Sequence, residues 1–250
     1  MGFNYESLDV TDHRPWPLPS SPWVMTQTWH DLLFAHWSAD HSVLRTKIPR
    51  EFELDEFNGH AWSGVVPFHM SNVSPRGVPS LPWLSAFPEL NVRTYVRVNG
   101  VPGVFFFSLE AANPVAVRVA RTMFHLPYFL ADMKVVERDG WIDYESRRIS
   151  SFGPPAQFVG RYRPTDEPHA PIPGSLEYFL TERYCLFTVD SSRRTCRLDI
   201  HHPPWLLQNA EAEISINTMA DALGIRLQSD APLLHFSKRQ DMVGWMLRRV

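Results

Sequence analysis

Hydrophobic and polar positions alternate with period two over much of this chain, and the period of 3.6 appears only in short stretches. From Ala61 to Met70 the pattern is that of a strand. Asn91–Val98 predicts another, ended by Asn99-Gly100, a type I′ hairpin signal, with Val104–Leu109 as its partner. At Asn113-Pro114 the period changes. Pro114 suits the first helical position, Val115, Val119, Thr122 and Met123 follow at helical spacing, and Leu126-Pro127 ends the helix. A second hairpin is expected from Met133–Glu137 and Trp141–Arg148 around Asp139-Gly140, and a third from Tyr184–Val189 and Thr195–His201. That third pairing sets Cys185 and Cys196 nearly opposite each other. Ala212–Ile216, Leu233–Ser237 and Met242–Leu247 complete the strands.

Short helices are expected at His41–Ile48, at Ser175–Thr181 with Ser175 as N-cap, and at Asn217–Leu223 closed by Gly224. The proline- and glycine-rich stretch 153–174 reads as one long loop. Trp29–Trp37 satisfies both periods, so strand and helix remain open there. Residues 1–24, with Pro15, Pro17, Pro19 and Pro22, predict an irregular arm ahead of a single domain over 25–250. Many hairpins and few helices indicate a β-rich α+β fold, a barrel or a sandwich with helical decorations.

Composition narrows the function. The 250 residues, 44% of them hydrophobic, are enough for a sizeable core, and the net charge of −3 with dispersed basic pairs argues against nucleic acid as a partner. No apolar run approaches the roughly 18 residues of a membrane span, and residues 1–26 show no signal-peptide core, so cytoplasm is the expected location and no membrane partner is expected. Two cysteines make neither a disulfide framework nor a zinc site. Nucleotide, α/β-hydrolase and zincin signatures are absent, and no cofactor is expected. The eleven histidines do not suggest a metal, because the adjacent His201 and His202 point to opposite sides of a strand.

Candidate chemistry concentrates on Pro88–Arg97. As a strand, it places Glu89, Asn91, Arg93, Tyr95 and Arg97 on one face and Leu90, Val92, Thr94 and Val96 on the other. The polar face is either solvated or lines a cavity. Lining a cavity, a carboxyl, an amide, a phenol and a guanidinium fork converge on a small organic anion. Arg121, on a helix face with Arg118 ahead of Leu126-Pro127-Tyr128, is a second candidate for the ligand; its alternative is a capping loop with Arg121 paired to an acid. Glu182-Arg183-Tyr184 is a third, read first as a structural ion pair.

Five runs in order, Trp29–Trp37, Phe87–Tyr95, Gly103–Leu109, Leu180–Tyr184 and His202–Gln208, resemble the YqjF-like family, domain of unknown function 2071, over nearly the whole chain from Trp23 to Val250. That family in turn is similar to the acetoacetate decarboxylase-like superfamily through Leu126–Met133 and the polar strand before it. The resemblance implies a closed, strongly bent β-barrel or cone around one internal pocket. It sets the decarboxylase's catalytic glutamate at Glu89 or Asn91, and its tandem lysines at Tyr128 and Phe129. Neither of these can form a Schiff base, and the only lysines are Lys47, Lys134 and Lys238, so acetoacetate decarboxylation is not implied. The expected working part is thus a pocket for a small organic anion. As an enzyme of lyase, hydratase or tautomerase type, it would use Glu89 and Tyr128 for catalysis and Asn91, Arg93, Tyr95 and Arg121 for binding. The alternatives are a carrier or sensor using the same pocket, or a protein-interaction domain. A homo-oligomer is possible under each.

Overall fold

Asp31 resolves the ambiguity of the first aromatic run. In the computed structural model, which describes residues 2–80, 82–227 and 231–250, the run lies inside strand β1 (Met25–Ala39), and Asp31 takes a left-handed backbone (φ 50°). Aspartate tolerates that conformation better than most side chains. The bulge it makes inserts one residue between the His30 and Ala35 registers, so the period-two alternation changes phase. Leu33, Ala35 and Trp37 enter one core, and Trp29 joins Leu32 and Phe34 in another.

The chain continues through α1 (His41–Lys47), capped by the Asp40 carboxylate, to β2 (Glu53–Leu54), β3 (Ala61–Pro75), α2 (Pro82–Ser85), β4 (Phe87–Val98) and β5 (Val101–Ala111). Then come α3 (Pro114–Met123), β6 (Tyr128–Arg138), β7 (Trp141–Arg148), β8 (Gln157–Pro164) and α4 (Leu176–Thr181). The last elements are β9 (Cys185–Val189), β10 (Thr195–His201), β11 (Gln208–Asn217), β12 (Leu233–Gly244) and β13 (Arg248–Arg249). Both expected tight turns have two left-handed residues, Asn99-Gly100 (φ 50° and 76°) and Asp139-Gly140 (φ 50° and 77°), as type I′ geometry requires.

The strands close into a barrel. Nine of them follow one another around a ring, β5-β6-β7-β8-β11-β12-β1-β3-β4, and β4 pairs back onto β5. The β9–β10 hairpin bridges this ring, joining β5 at Val104↔Leu186 and β12 at Ile200↔Gly244. Two interiors result. One is a sealed core of Leu33, Leu90 and Val92 against Tyr144, Phe158 and Tyr162; the other, around Phe34, Phe68 and Trp205 under α3, is hollow.

Several expectations are corrected. The 153–174 stretch is not one loop, because β8 runs through it. Gly160 belongs to that strand since a Cβ there would lie 3.1 Å from the Glu213 carbonyl oxygen of β11. The expected helix 217–223 is only a 3-10 turn at Asp221–Leu223, closed by left-handed Gly224 (φ 67°). The last two expected strands are one, β12. Cys185 stands opposite Asp199 and Cys196 opposite Thr188, so the two free thiols are not neighbours. The N-terminal arm lies over the far side of β10, where Arg14 Nη1 donates to the Ile200 carbonyl (2.9 Å) and Ser21 accepts from Trp245 Nε1 (2.6 Å).

Candidate functional site

β4 forms part of the wall between the two interiors. Its alternation sends Leu90 and Val92 into the sealed core, and Glu89, Asn91 and Arg93 into a cavity of about 420 Å³. β1, β3, β5, β9, β10, β12 and α3 supply much of the remaining lining, most of it apolar, including Trp29, Phe34, Phe68, Phe106 and Met242. Tyr128, the first residue of β6, reaches in from under α3, and its hydroxyl donates to Glu89 Oε2 (2.8 Å).

Glu89 is fully buried. Desolvation is the main reason its carboxyl is pushed up to about 8; the nearby Glu110 adds to this and the Tyr128 hydrogen bond works against it. A carboxyl with that value favours its protonated form at neutral pH, which leaves it able to donate a hydrogen bond as well as accept the one from Tyr128. Burial and the neighbouring Glu89 hold the Tyr128 phenol well above its usual range. The Glu89 backbone is held from the sealed side, where the Tyr144 hydroxyl donates to its carbonyl (2.6 Å).

Arg93 has no carboxylate within 4 Å among the described residues. One nitrogen, Nη2, donates to the Leu180 carbonyl (3.1 Å) and the Tyr95 hydroxyl (3.3 Å). Its buried Nε has no partner, and neither has Oδ1 of Asn91. Both atoms belong to residues that line the cavity and are open to a further hydrogen bond there.

The structure separates the residues singled out in the sequence. Glu89, Asn91, Arg93 and Tyr128 come together at the cavity. Tyr95 does not line it, although period two gives it the same face. α4 plugs that end of the barrel, and the Tyr95 hydroxyl donates to Leu180 O (2.7 Å) and so accepts from His36 Nε2 (2.6 Å). Tyr95 acts as a support for Arg93. Arg97, one step further along, pairs with Asp55 (3.0 Å). Arg121 is also outside. It is exposed, lies over the Phe152 ring (4.3 Å) and donates to the Tyr128 carbonyl (2.8 Å), which fixes the chain that carries Tyr128. Lys134 sits on the outer face of the β6–β7–β8–β11 sheet.

Sequence reasoning missed Thr181, His202 and Trp205, which also line the cavity, as does Arg183 of the third candidate run. The expected ion pair in the 182–184 run is Arg183 with Asp55 (2.6 Å), while Glu182 accepts from the Tyr184 hydroxyl and from Trp205 N (2.9 Å). No sequence signal links these positions, because Asp55 and Arg183 are brought together only by closure of the barrel. Burial lowers His202 to about 4 and raises the Cys185 thiol to about 12, so neither is charged at neutral pH. No lysine lines the cavity, and among the described residues no cluster of three or more His, Cys, Asp or Glu is placed to hold a metal.

The sequence matches the profile of the DUF2071 family, an uncharacterized conserved protein, over residues 26–241. The chain belongs to that family. It is 50% identical over 232 residues to the uncharacterized protein YqjF of Bacillus subtilis, covering 93% of this chain and 95% of that one. In fold it is similar to acetoacetate decarboxylase from Legionella pneumophila, with a TM-score of 0.62 at 13% identity over 96% of this chain and 93% of that one. The enduracididine biosynthesis enzyme MppR complexed with pyruvate gives 0.62 at 12% identity, over 100% and 98% of the two chains. An acetoacetate decarboxylase-like enzyme from Sphingomonas wittichii gives 0.59 at 12% identity, over 96% and 98%. The fold is thus the acetoacetate decarboxylase-like bent barrel, and at these identities the likeness is one of fold alone. Among the described residues no helix is long and apolar enough to cross a membrane.

Proposed function

We propose that this DUF2071 protein binds a small organic acid in the barrel cavity and moves a proton on it without an iminium step. Arg93 takes the carboxylate, Asn91 orients the molecule, and Glu89 exchanges a proton with a carbonyl or enol oxygen. Tyr128 stabilises the charge that develops there. The class is that of a lyase, hydratase or tautomerase acting on a keto, enol or hydroxy acid. One observation carries this reading: a buried carboxyl, tied to a tyrosine and with no cation beside it, shares an apolar cavity with an arginine that lacks a counter-ion, and burial favours the neutral form of that carboxyl. A carboxyl kept neutral by its surroundings is the kind of group that donates to an enolate-like oxygen. The pyruvate complex of a fold neighbour supports a keto acid as the kind of ligand. The two unpaired thiols are in keeping with action in the cytoplasm.

The test is calorimetry and turnover against a panel of keto, hydroxy and phenolic acids with their neutral analogues. Acids are expected to bind and their amides not to, and Arg93→Gln is expected to abolish the difference. Turnover is expected to fall as pH rises through about 8, where Glu89 loses its proton, and to be abolished by Glu89→Gln while acid binding is kept. Binding without turnover across the panel would make the protein a carrier or sensor. No preference for the charged form would overturn the site.

A further inference from the structure

The charged groups of the cavity lie in its depth. Among its lining residues, those exposed to solvent are Pro75, Val119, Met123 and Met246, all apolar, and they mark the mouth. Glu89, Asn91 and Arg183 lie buried inside, and Arg93 stands against the α4 plug with its guanidinium over the Phe34 ring (5.2 Å). At about 420 Å³ the space matches roughly fourteen waters at their liquid volume of about 30 Å³ each. It is in the range that takes drug-sized ligands, about 300–1,000 Å³. A three- or four-carbon keto acid on Arg93 and Glu89 leaves most of that apolar wall in contact with water or with nothing.

We infer that the ligand is an amphiphilic monocarboxylic acid, carrying an aromatic or medium-length acyl tail, and that it sits with the carboxylate at Arg93 and the tail along the apolar wall toward the α3 mouth. This rests on the proposed acid-binding reading of the same site and adds the size, polarity and direction of the ligand. α3 provides the tail's exit. Its Ala116 and Ala120 face the cavity, and small side chains there keep the passage open, while Val119 and Met123 present apolar surface at the rim. A rim of this composition costs little for a tail to cross and costs much for a charged group that has to stay there.

The experiment is calorimetric titration of the full chain with straight-chain acids from butanoate to decanoate and with decanamide. Affinity is expected to rise about fourfold per methylene until the tail reaches the mouth, and then to level off. Decanamide is expected to bind far more weakly than decanoate. Arg93→Gln is expected to weaken every acid by a similar factor, because all share one head position. Met123→Glu, an exposed position where folding is not at risk, is expected to weaken decanoate at least tenfold and to leave butanoate unchanged. A flat series in which butanoate binds as well as decanoate overturns the amphiphile and leaves the acid site standing. Failure of every acid to bind overturns both. A Met123→Glu effect on butanoate equal to that on decanoate overturns the head-in orientation.

Discussion

Two buried carboxyl groups on neighbouring strands are treated in opposite ways. Glu89 of β4 pairs in register with Ala111, and Glu110 of β5 with Leu90, so the two carboxyls leave the same wall on opposite sides. Glu110 points away from the cavity and is fully matched. Arg148 Nε and Nη2 both donate to its Oε1, Ser108 donates to Oε2 (3.2 Å), and the guanidinium stacks on Phe129 at 3.8 Å. Glu89 points into the cavity and has only a tyrosine, while Arg93, two residues beyond Asn91 on the same strand, has no acid. Glu110 is thus held by a cation inside the fold, whereas Glu89 and Arg93 face the cavity without a charged partner.

The largest effect is expected on the paired side. Removing one partner, as in Glu110→Ala or Arg148→Met, strands a buried charge and is expected to destabilise the protein by about 3–5 kcal/mol in denaturant unfolding. Replacing both partners by apolar residues should recover most of that loss. Next comes the support of Arg93. A Cβ at Gly64 would lie 2.9 Å from the His36 ring, so Gly64→Ala is expected to cost roughly 1–3 kcal/mol. Through the His36–Tyr95–Leu180 contacts it should also loosen Arg93, which acid binding would report.

Glu89 is expected to show itself through pH. Its carboxyl moves from about 4.5 to about 8 on folding, so between those values the folded protein holds a proton that the unfolded chain has released. Stability contributed by that proton is complete below about 4.5 and is lost as pH rises toward 8. The buried histidines, His202 among them, act in the opposite direction over the lower part of that window, so the Glu89 contribution is read as a difference: the melting temperature of the protein relative to Glu89→Gln should fall as pH rises toward 8. The smallest effect on stability is expected from Arg93→Gln, within about 1 kcal/mol, since Tyr95 and Leu180 keep their mutual hydrogen bond. The same substitution should remove acid binding. If it instead unfolds the protein, Arg93 belongs with Arg148 as a structural charge.

How much of this was legible in the sequence depended on range. Period two alone put Glu89, Asn91 and Arg93 on one face, and two-residue turn chemistry placed the Asn99-Gly100 and Asp139-Gly140 hairpins. The same rule placed Tyr95 wrongly, because period two gives the face and not where a cavity ends; α4, about eighty residues later in the chain, ends it. Asp31 shows a second limit. One left-handed residue changes the phase of a strand, so Trp29 and Leu33 do not share a face although they are four apart. Gly160 misled in another way, since a glycine required by close strand packing looks in sequence like a loop glycine. Arg183, His202 and Trp205 reach the cavity by barrel closure, which leaves no local trace.

The most direct test of the contrast is a carbon-13 NMR titration of the side-chain carboxyls, with Glu89→Gln identifying the Glu89 resonance. The expected result is a titration near 8 in the free protein that moves further upward when an organic acid is added, because a bound anion disfavours the ionised carboxyl. A titration in the ordinary range near 4.5, unmoved by any acid, would contradict the account.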